Sequence, residues 1–232
     1  MKIYCMSDIH GCLAEFEYAL SLIEDHLDDD DTMLILLGDY IHGGDDNYAV
    51  LDKVMQLQRD YGSDKVMALM GNHEDFVLMG ESSIDCMVRT FSDDDEHDEE
   101  DEEEYLRWME SLPLYYTEGN TIFVHAGIDE DAGDMWEWST GDETFVGKYP
   151  ADIGSIDGLD MKIVAGHIGT AEISGDPRFH DIYYDGESHY YIDGSTVDSG
   201  VVPVLLVDTD EDKYYRVTES GAWPILPYYE EV

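Results

Sequence analysis

The sequence predicts a mixed α/β fold (α/β with α+β character), in which a parallel sheet is followed by a region of short strands. Apolar runs alternate with helical patterns through residues 1–70, at intervals of about 30 residues, which is typical of β-α-β units. From about residue 179 to 217 the runs are shorter and are separated by Gly and Asp turns, which favours an antiparallel second sheet. The chain has 232 residues, 43% of them hydrophobic, which is enough for one large domain with its own core.

Strands are predicted where the sequence is continuously apolar, because a strand inside a parallel sheet is buried on both faces. Such runs cover residues 3–6, 33–37 and 66–70. Between them, apolar residues recur at helical spacing over residues 13–26 and 48–61. These elements form the predicted parallel sheet and its crossover helices.

The middle of the chain, residues 75–118, is predicted to be helical and peripheral. It contains an acidic insert at about 92–104, which we expect to be a solvated or disordered loop that leads into a helix, because like charges at this density repel. No repeat or linker divides the chain, so a single domain over 1–232 is predicted. The later strands are predicted at residues 121–124, 162–165, 182–184, 190–192, 202–207 and 214–217.

The charge of the chain excludes some partners. There are 56 acidic and 11 basic residues, and the net charge is −45, so nucleic acid and anionic membranes are poor partners. Adaptation to high salt and a lineage bias toward acidic surfaces both explain this charge. The three cysteines follow no metal or redox spacing, no apolar run is long enough to span a bilayer, and no signal peptide is recognised. We therefore expect a cytoplasmic protein.

Polar residues with metal-binding side chains follow the ends of successive predicted strands. Asp8 and His10 are two residues apart, so they project from the same face of an extended chain. The carboxyl ends of parallel strands meet at one edge of a sheet, where sites form. Each of these residues alone is more often a turn, cap or surface residue, but their joint occurrence predicts a two-metal site of oxygen and imidazole ligands. The candidates are Asp8, His10, Asp39, Asn72, His73, His125 and His167.

Five short motifs carry a resemblance to a known family. They are Asp-Ile-His-Gly at 8–11, Gly-Asp-Tyr-Ile at 38–41, Gly-Asn-His-Glu at 71–74, His-Ala-Gly at 125–127 and Gly-His at 166–167. In order and spacing, the chain resembles the metallophosphoesterase superfamily, and within it the phosphoprotein phosphatases close to the bacterial serine/threonine protein phosphatases. The resemblance covers about residues 1–217. It implies a calcineurin-like fold, a two-sheet β-sandwich flanked by helices.

The resemblance also implies roles for the candidate residues. Asp8 and His10 would bind a first divalent ion, and Asp39 would bridge both ions. Asn72 would contact the substrate as well as bind metal, and His73 would be the general acid. The complete implied set of ligands is Asp8, His10, Asp39, Asn72, His125 and His167. Mn²⁺ is the expected metal, with Fe and Zn as alternatives, and a hydroxide activated by the two ions would attack phosphorus.

The chain departs from the family pattern after the second strand. His42 stands where the family has the Asp that orients the general acid, and Gly43 stands where it has a phosphate-binding Arg. Residues 136–140 also lack an Arg, and Lys148 is the next cation. His42 is a second catalytic candidate, either as an acid or as a phosphate contact when protonated. The alternative is that His42 is a neutral loop residue.

The expected activity is hydrolysis of phosphomonoesters, with a phosphorylated serine or threonine protein, or a small phosphate ester, as substrate. Hydrolysis of dinucleoside polyphosphates is an alternative. It ranks lower because a chain with a net charge of −45 and no arginine clamp is a poor receptor for a polyanion. A third interpretation is a metal-binding pseudo-phosphatase that recognises a phosphorylated partner, which the loss of the usual Asp and Arg favours.

Overall fold

The computed structural model describes residues 1–86 and 99–230, and two mixed β-sheets run through this part of the chain. The strands are β1 (Lys2–Met6), β2 (Thr32–Leu36), β3 (Val66–Ala68), β4 (Tyr115–Glu118), β5 (Thr121–Val124), β6 (Lys162–Ala165), β7 (Tyr183–Tyr184), β8 (His189–Tyr191), β9 (Leu205–Asp208), β10 (Lys213–Thr218) and β11 (Gly221–Pro224). The α-helices are α1 (Leu13–Ser21), α2 (Asn47–Tyr61), α3 (Asn72–Leu78), α4 (Glu99–Glu110), α5 (Trp136–Ser139), α6 (Asp142–Gly147), α7 (Thr170–Ser174) and α8 (Thr196–Ser199). Short 3-10 helices lie at Glu24–His26, Glu130–Met135 and Tyr228–Glu230.

The first sheet contains the predicted β-α-β units. Its strand order is β11-β10-β9-β1-β2-β3. The β1, β2 and β3 strands are parallel, and α1 and α2 lie between them in the chain. All five residues of β2 are buried, as the continuous apolar run predicts for a strand covered on both faces.

The second sheet has the order β4-β5-β6-β8-β7. Its three central strands are parallel, and β4 and β7 pair antiparallel at its two edges. Parallel strands at β5 and β6 bring the segments after Val124 and Ala165 to one edge of this sheet. Two of the predicted site histidines follow there.

The prediction of one antiparallel sheet over residues 179–217 is wrong. The β7 and β8 strands belong to the second sheet, whereas β9 and β10 join the first, where β9 pairs antiparallel with β1 and places Val207 opposite Ile3. The strand pattern was locally correct, but the choice of partner depends on contacts between residues far apart in the chain. Two further strands were not predicted. These are β4, inside the stretch expected to be helical, and β11 at the edge of the first sheet.

Alternate residues of β1 face two different cores. Ile3 and Cys5 belong to a cluster that includes Phe123 and Val164 of the second sheet, so this cluster fills the space between the sheets. Tyr4 and Met6 belong to the larger cluster that includes residues of the flanking helices. This is the period of two expected of a strand. The predicted two-sheet architecture flanked by helices is confirmed.

Part of the acidic insert lies outside the described residues. Its first residues, 92–98, are not described, and Glu99 to Glu104 lie in α4. The assignment of residues 1–232 to a single domain stays a prediction. Within the described ranges, no helix combines the length and the apolar composition that a membrane span requires.

Candidate metal centre

The candidate site lies in the segments that follow β1, β2 and β3 of the first sheet and β5 and β6 of the second. Five of the candidate residues have positive φ angles, which non-glycine residues rarely adopt. These are Asp8 (54°), His10 (51°), Asp39 (57°), His42 (72°) and His167 (65°). Backbone strain of this kind costs on the order of 1–3 kcal/mol per residue and clusters at functional sites. These segments therefore place the side chains of the site at the cost of local backbone stability.

The carboxylate of Asp39 lies at the middle of the site and is 2% exposed. Its Oδ1 accepts a hydrogen bond from the backbone N–H of His73 (3.0 Å). Its Oδ2 faces three imidazole nitrogens, Nε2 of His125 at 3.4 Å, of His10 at 3.7 Å and of His73 at 3.8 Å. One oxygen of Asp39 thus faces donor atoms from three separate segments of the chain.

Two sets of possible ligand atoms share Asp39. One set is Asp39 with His10 and His73, and the other is Asp39 with His125 and His167. Within each set the atoms lie within 4.8 Å of one another. Ligands bound to one ion at about 2.0–2.2 Å are separated by roughly 3–4 Å, so each set has room for one ion. His73 therefore lies among the possible ligand atoms, whereas the family resemblance gives it the role of general acid.

The remaining two candidates lie beside these sets. The Asp8 carboxylate accepts the backbone N–H of His167 at 3.0 and 3.2 Å, and one of its oxygens is 3.8 Å from His10 Nε2. The Oδ1 atom of Asn72 is 3.0 Å from His125 Nε2. All six ligands implied by the resemblance, and also His73, are thus brought together.

The outer nitrogens of two histidines are held by backbone carbonyls. His10 Nδ1 donates to Ile41 O (3.1 Å), and His125 Nδ1 donates to Leu37 O (3.0 Å). Because a carbonyl only accepts, Nδ1 carries the proton in each ring, and in the neutral ring Nε2 presents its lone pair to the site. Hydrogen bonds of this kind orient metal-ligating histidines in proteins.

The donor set fits a cation. At His125 Nε2, a lone pair faces two further acceptors, Asn72 Oδ1 and Asp39 Oδ2, so positive charge is needed between them. Without a metal that charge is a proton. Burial lowers the pKa of His125, but Asp39 and Asp8 outweigh burial and raise the pKa to about 9. Burial, followed by the nearby carboxylate of Asp193, raises the pKa of Asp8 to about 8. A divalent ion would supply the missing charge directly.

His42 contacts the general-acid candidate. Its Nε2 donates to Ser83 O (2.8 Å), so in the neutral ring Nδ1 is an acceptor, and it lies 2.8 Å from His73 Nδ1. The N–H of His73 therefore donates to His42. The backbone N–H of His42 donates to Asn47 Oδ1 (2.9 Å), and the residue is 2% exposed. Both ring nitrogens of His42 are thus engaged inside the protein, which leaves neither free for phosphate.

The family arginine is absent, and no other residue in the same turn replaces it. Gly43 has a φ of 107°, and a Cβ at this position would lie 2.9 Å from Cγ2 of Val197, so a larger residue would require the turn to change. The Lys148 stem packs on Gly127, and its ammonium group pairs with Glu130 (3.4 Å) and Asp152. The charge of Lys148 is therefore compensated by two carboxylates.

Two buried acids beside the site, Glu74 and Asp193, were not predicted from the sequence. Glu74 accepts the backbone N–H groups of Tyr40 (2.8 Å), Asp39 (2.9 Å) and Gly71 (3.1 Å), so it holds the turn that carries Asp39. Burial, together with the Asp39 charge, raises the pKa of Glu74 to about 7. Asp193 is 6% exposed, accepts the N–H of Ser195 (2.6 Å) and interacts electrostatically with Asp8. Glu74 is the last residue of the Gly-Asn-His-Glu motif at 71–74, and this position was the signal that could have identified it.

The chain was compared with models of known protein families. A model described as calcineurin-like phosphoesterase matches residues 1–198. The chain belongs to this family. Its members are phosphoesterases and typically use a dinuclear metal site, so the superfamily resemblance found in the sequence is confirmed.

Curated relatives point to one activity within the family. A protein of Nitrosospira multiformis is 30% identical over 128 residues, which cover 55% of this chain and 44% of that protein. A protein of Wigglesworthia glossinidia brevipalpis is 29% identical over 134 residues, 55% of this chain and 45% of that protein. Both are named symmetrical bis(5′-nucleosyl)-tetraphosphatase. The matched region spans less than half of each relative, and their names differ from the serine/threonine phosphatases that the motifs resemble.

Solved structures share the fold across nearly the whole chain. A cold-active protein-tyrosine phosphatase from a psychrophilic Shewanella superposes with a TM-score of 0.67 at 16% identity, covering 97% of this chain and 80% of that one. A metallophosphoesterase from Sphaerobacter thermophilus has a TM-score of 0.51 at 16% identity, covering 94% and 88%. At these identities the likeness concerns the fold alone.

Proposed function

We propose that this protein hydrolyses phosphoanhydride bonds of dinucleoside polyphosphates at a dinuclear metal centre. The observation that carries the metal centre is that Asp39 belongs to both sets of possible ligand atoms. Mn²⁺ is the metal we propose, because the donors are a mixture of carboxylate, amide and imidazole groups without thiolate. The proposed ligands are Asp8, His10, Asp39, Asn72, His125 and His167.

Each group has a distinct task in this proposal. When bound, two divalent ions would activate a water molecule and neutralise the phosphoryl oxygens. Asp39 contributes to both ligand sets, and Asn72 contacts the phosphoryl group. His73 lies with Nε2 toward the centre, 3.8 Å from Asp39 Oδ2. Because its Nδ1–H donates to His42, Nε2 of the neutral ring carries a lone pair, so His73 would give a proton to the departing oxygen only from its protonated form. The water oxygen forms the new bond to phosphorus, and the bond to the leaving phosphate breaks.

The partner of His73 favours a phosphoanhydride over a phosphomonoester. His42 accepts the His73 Nδ1–H as a neutral ring, so the negative charge that would hold His73 protonated is missing. A serine or threonine alkoxide is a strong base that leaves only when it is protonated, whereas a nucleotide phosphate is a weak base and leaves without full protonation. The curated relatives, which are named as tetraphosphatases, support the same substrate class.

The test uses diadenosine tetraphosphate with metal-stripped protein to which Mn²⁺, Fe²⁺ or Zn²⁺ is returned. We expect metal-dependent formation of two ADP per substrate, and loss of turnover in Asp39→Asn. A phosphoserine peptide and p-nitrophenyl phosphate are compared under the same conditions. A larger kcat/KM on the phosphoserine peptide would reject the anhydride proposal in favour of the phosphomonoesterase predicted from the sequence. Tight binding of two ions with no turnover on any substrate would favour the pseudo-phosphatase.

A further inference from the structure

An exposed aromatic side chain lies beside the proposed general acid. Phe76 follows His73 by three residues on α3, so the two side chains lie on the same helix face. Their ring centroids are 5.9 Å apart with planes inclined by 58°. His73 also contacts the rings of His10 (4.8 Å) and His42 (5.0 Å). Phe76 is the apolar member of this group of rings.

The Phe76 ring reaches solvent although it is apolar. Phe76 is 38% exposed, and Met79, three residues further along the same face, is 63% exposed. Single exposed apolar residues are common on proteins. Here, however, the exposed ring contacts a residue of the candidate site, in a chain with a net charge of −45. Its position, and not its exposure alone, indicates a role in binding.

The backbone fixes where this ring lies. The carbonyl oxygen of Phe76 accepts the N–H groups of Glu81 (2.9 Å) and Ser82 (3.3 Å). The next residue, Ser83, holds His42 through its carbonyl oxygen. Phe76, His42 and His73 are therefore parts of one hydrogen-bonded unit, so a group that contacts Phe76 has a defined position relative to His73.

The substrate needs a source of binding energy beyond the metal ions. Gly43 stands in place of an arginine, and Lys148 is paired with Glu130 and Asp152. An aromatic contact does not suffer from the repulsion between an anionic substrate and an acidic surface. Stacking of a base on an aromatic side chain is sequence-tolerant and contributes about 1–3 kcal/mol per base.

We propose that Phe76 determines specificity by stacking on the planar base of the leaving nucleotide. This proposal rests on the proposed function, because it names the part of the substrate that leaves on the His73 side. The base-free part of the substrate would be bound by the metal centre alone. Phe76 would then matter for nucleotides and not for inorganic polyphosphate.

The experiment compares Phe76→Leu with Phe76→Trp. On diadenosine tetraphosphate we expect Phe76→Leu to lower kcat/KM by roughly 5- to 150-fold, mainly through KM, and Phe76→Trp to retain it. With inorganic tripolyphosphate, which has no base, both variants should match the unsubstituted protein. Phenyl phosphate is a third substrate, which shows whether any aromatic leaving group suffices. Trp223→Leu is the matched control, because Trp223 is 51% exposed on the edge strand β11.

The outcomes separate this proposal from the proposed function. Unchanged kcat/KM of Phe76→Leu on the dinucleotide would overturn the role of Phe76, as would equal losses in Phe76→Leu and Phe76→Trp. If the unsubstituted protein hydrolyses no polyphosphate, the proposed function fails. The dissociation constant of ADP from the Mn²⁺-loaded variants then decides the role of Phe76. Weaker ADP binding in Phe76→Leu supports stacking, and equal binding refutes it.

Discussion

Replacement of His42 by alanine tests whether an uncharged partner orients the proposed general acid. The substitution removes two buried hydrogen bonds, one between His42 and His73 and one from His42 to Ser83, each 2.8 Å long. Loss of a buried partner costs about 1–3 kcal/mol for the group left behind. If the orientation of His73 matters in the transition state, a loss of this size lowers kcat by roughly 5- to 150-fold. KM should change little, because His42 is 2% exposed and does not reach substrate.

The assay measures kcat and KM on diadenosine tetraphosphate, and the tautomers of His42 and His73 by nitrogen NMR. His180→Ala is the control, because His180 also donates to a backbone carbonyl, that of Gly194, at 3.0 Å. His42→Asp places a carboxylate beside His73, which raises the pKa of His73. It should therefore accelerate hydrolysis of alkyl phosphate esters relative to the anhydride. A kcat of His42→Ala equal to that of the unsubstituted protein would refute the reasoning, as would a fall confined to KM.

Three further predictions concern the metal centre, a buried histidine and salt. Asp39→Asn should reduce bound Mn²⁺ from two ions per chain to one or none after dialysis, as measured by elemental analysis; retention of both ions would contradict a shared ligand. Burial lowers the pKa of His189, but its hydrogen bonds to Asp185 (2.7 Å) and Glu130 (3.0 Å) outweigh burial and raise it to about 9. The resulting stabilisation of the folded state, about 3 kcal/mol, is complete below pH 6.5 and is lost as pH rises through 9. Denaturant titrations should show this decrease in the free energy of unfolding with pH, and His189→Gln should lack it. Raising KCl from low concentration should increase kcat/KM for a polyanionic substrate, because salt screens the repulsion from the chain; a steady decrease would contradict this.

Local sequence patterns predicted the strands and helices better than they predicted which strands pair. The β1 and β2 strands follow from continuous apolar runs, and α2 follows from helical spacing that ends at Gly62. The sheet to which β9 belongs was not predictable in this way, because its pairing with β1 joins residues about 200 positions apart and leaves no local mark. The β4 strand was missed because Tyr115 to Glu118 is short and only half-buried.

The candidate site was predictable where topology alone determines it. Asp8 and Asp39 end neighbouring parallel strands, so their proximity follows from the order of the strands. The partner of His73 was not predictable, because the contact with His42 depends on how two turns meet. From its position in the sequence, His42 could be an acid, a phosphate contact or a neutral loop residue. Burial lowers the pKa of His42 and so favours the neutral ring, and its contact with His73 Nδ1 supports an orienting task that was not among those options.

The acidic surface of the chain and the proposed metal centre would act on an anionic substrate over different distances. Two divalent ions would carry more positive charge than the carboxylates of Asp8 and Asp39 carry negative charge, so the centre itself would attract phosphate. The net charge of −45 repels an anionic substrate farther from the centre. At 0.1 M salt, however, the field of exposed charges is screened over about 10 Å. Salt therefore weakens the repulsion on approach more than the attraction at a partly buried centre. For this reason we propose that a chain with Gly43 in place of the arginine still binds a polyanion, with the base stacked on Phe76.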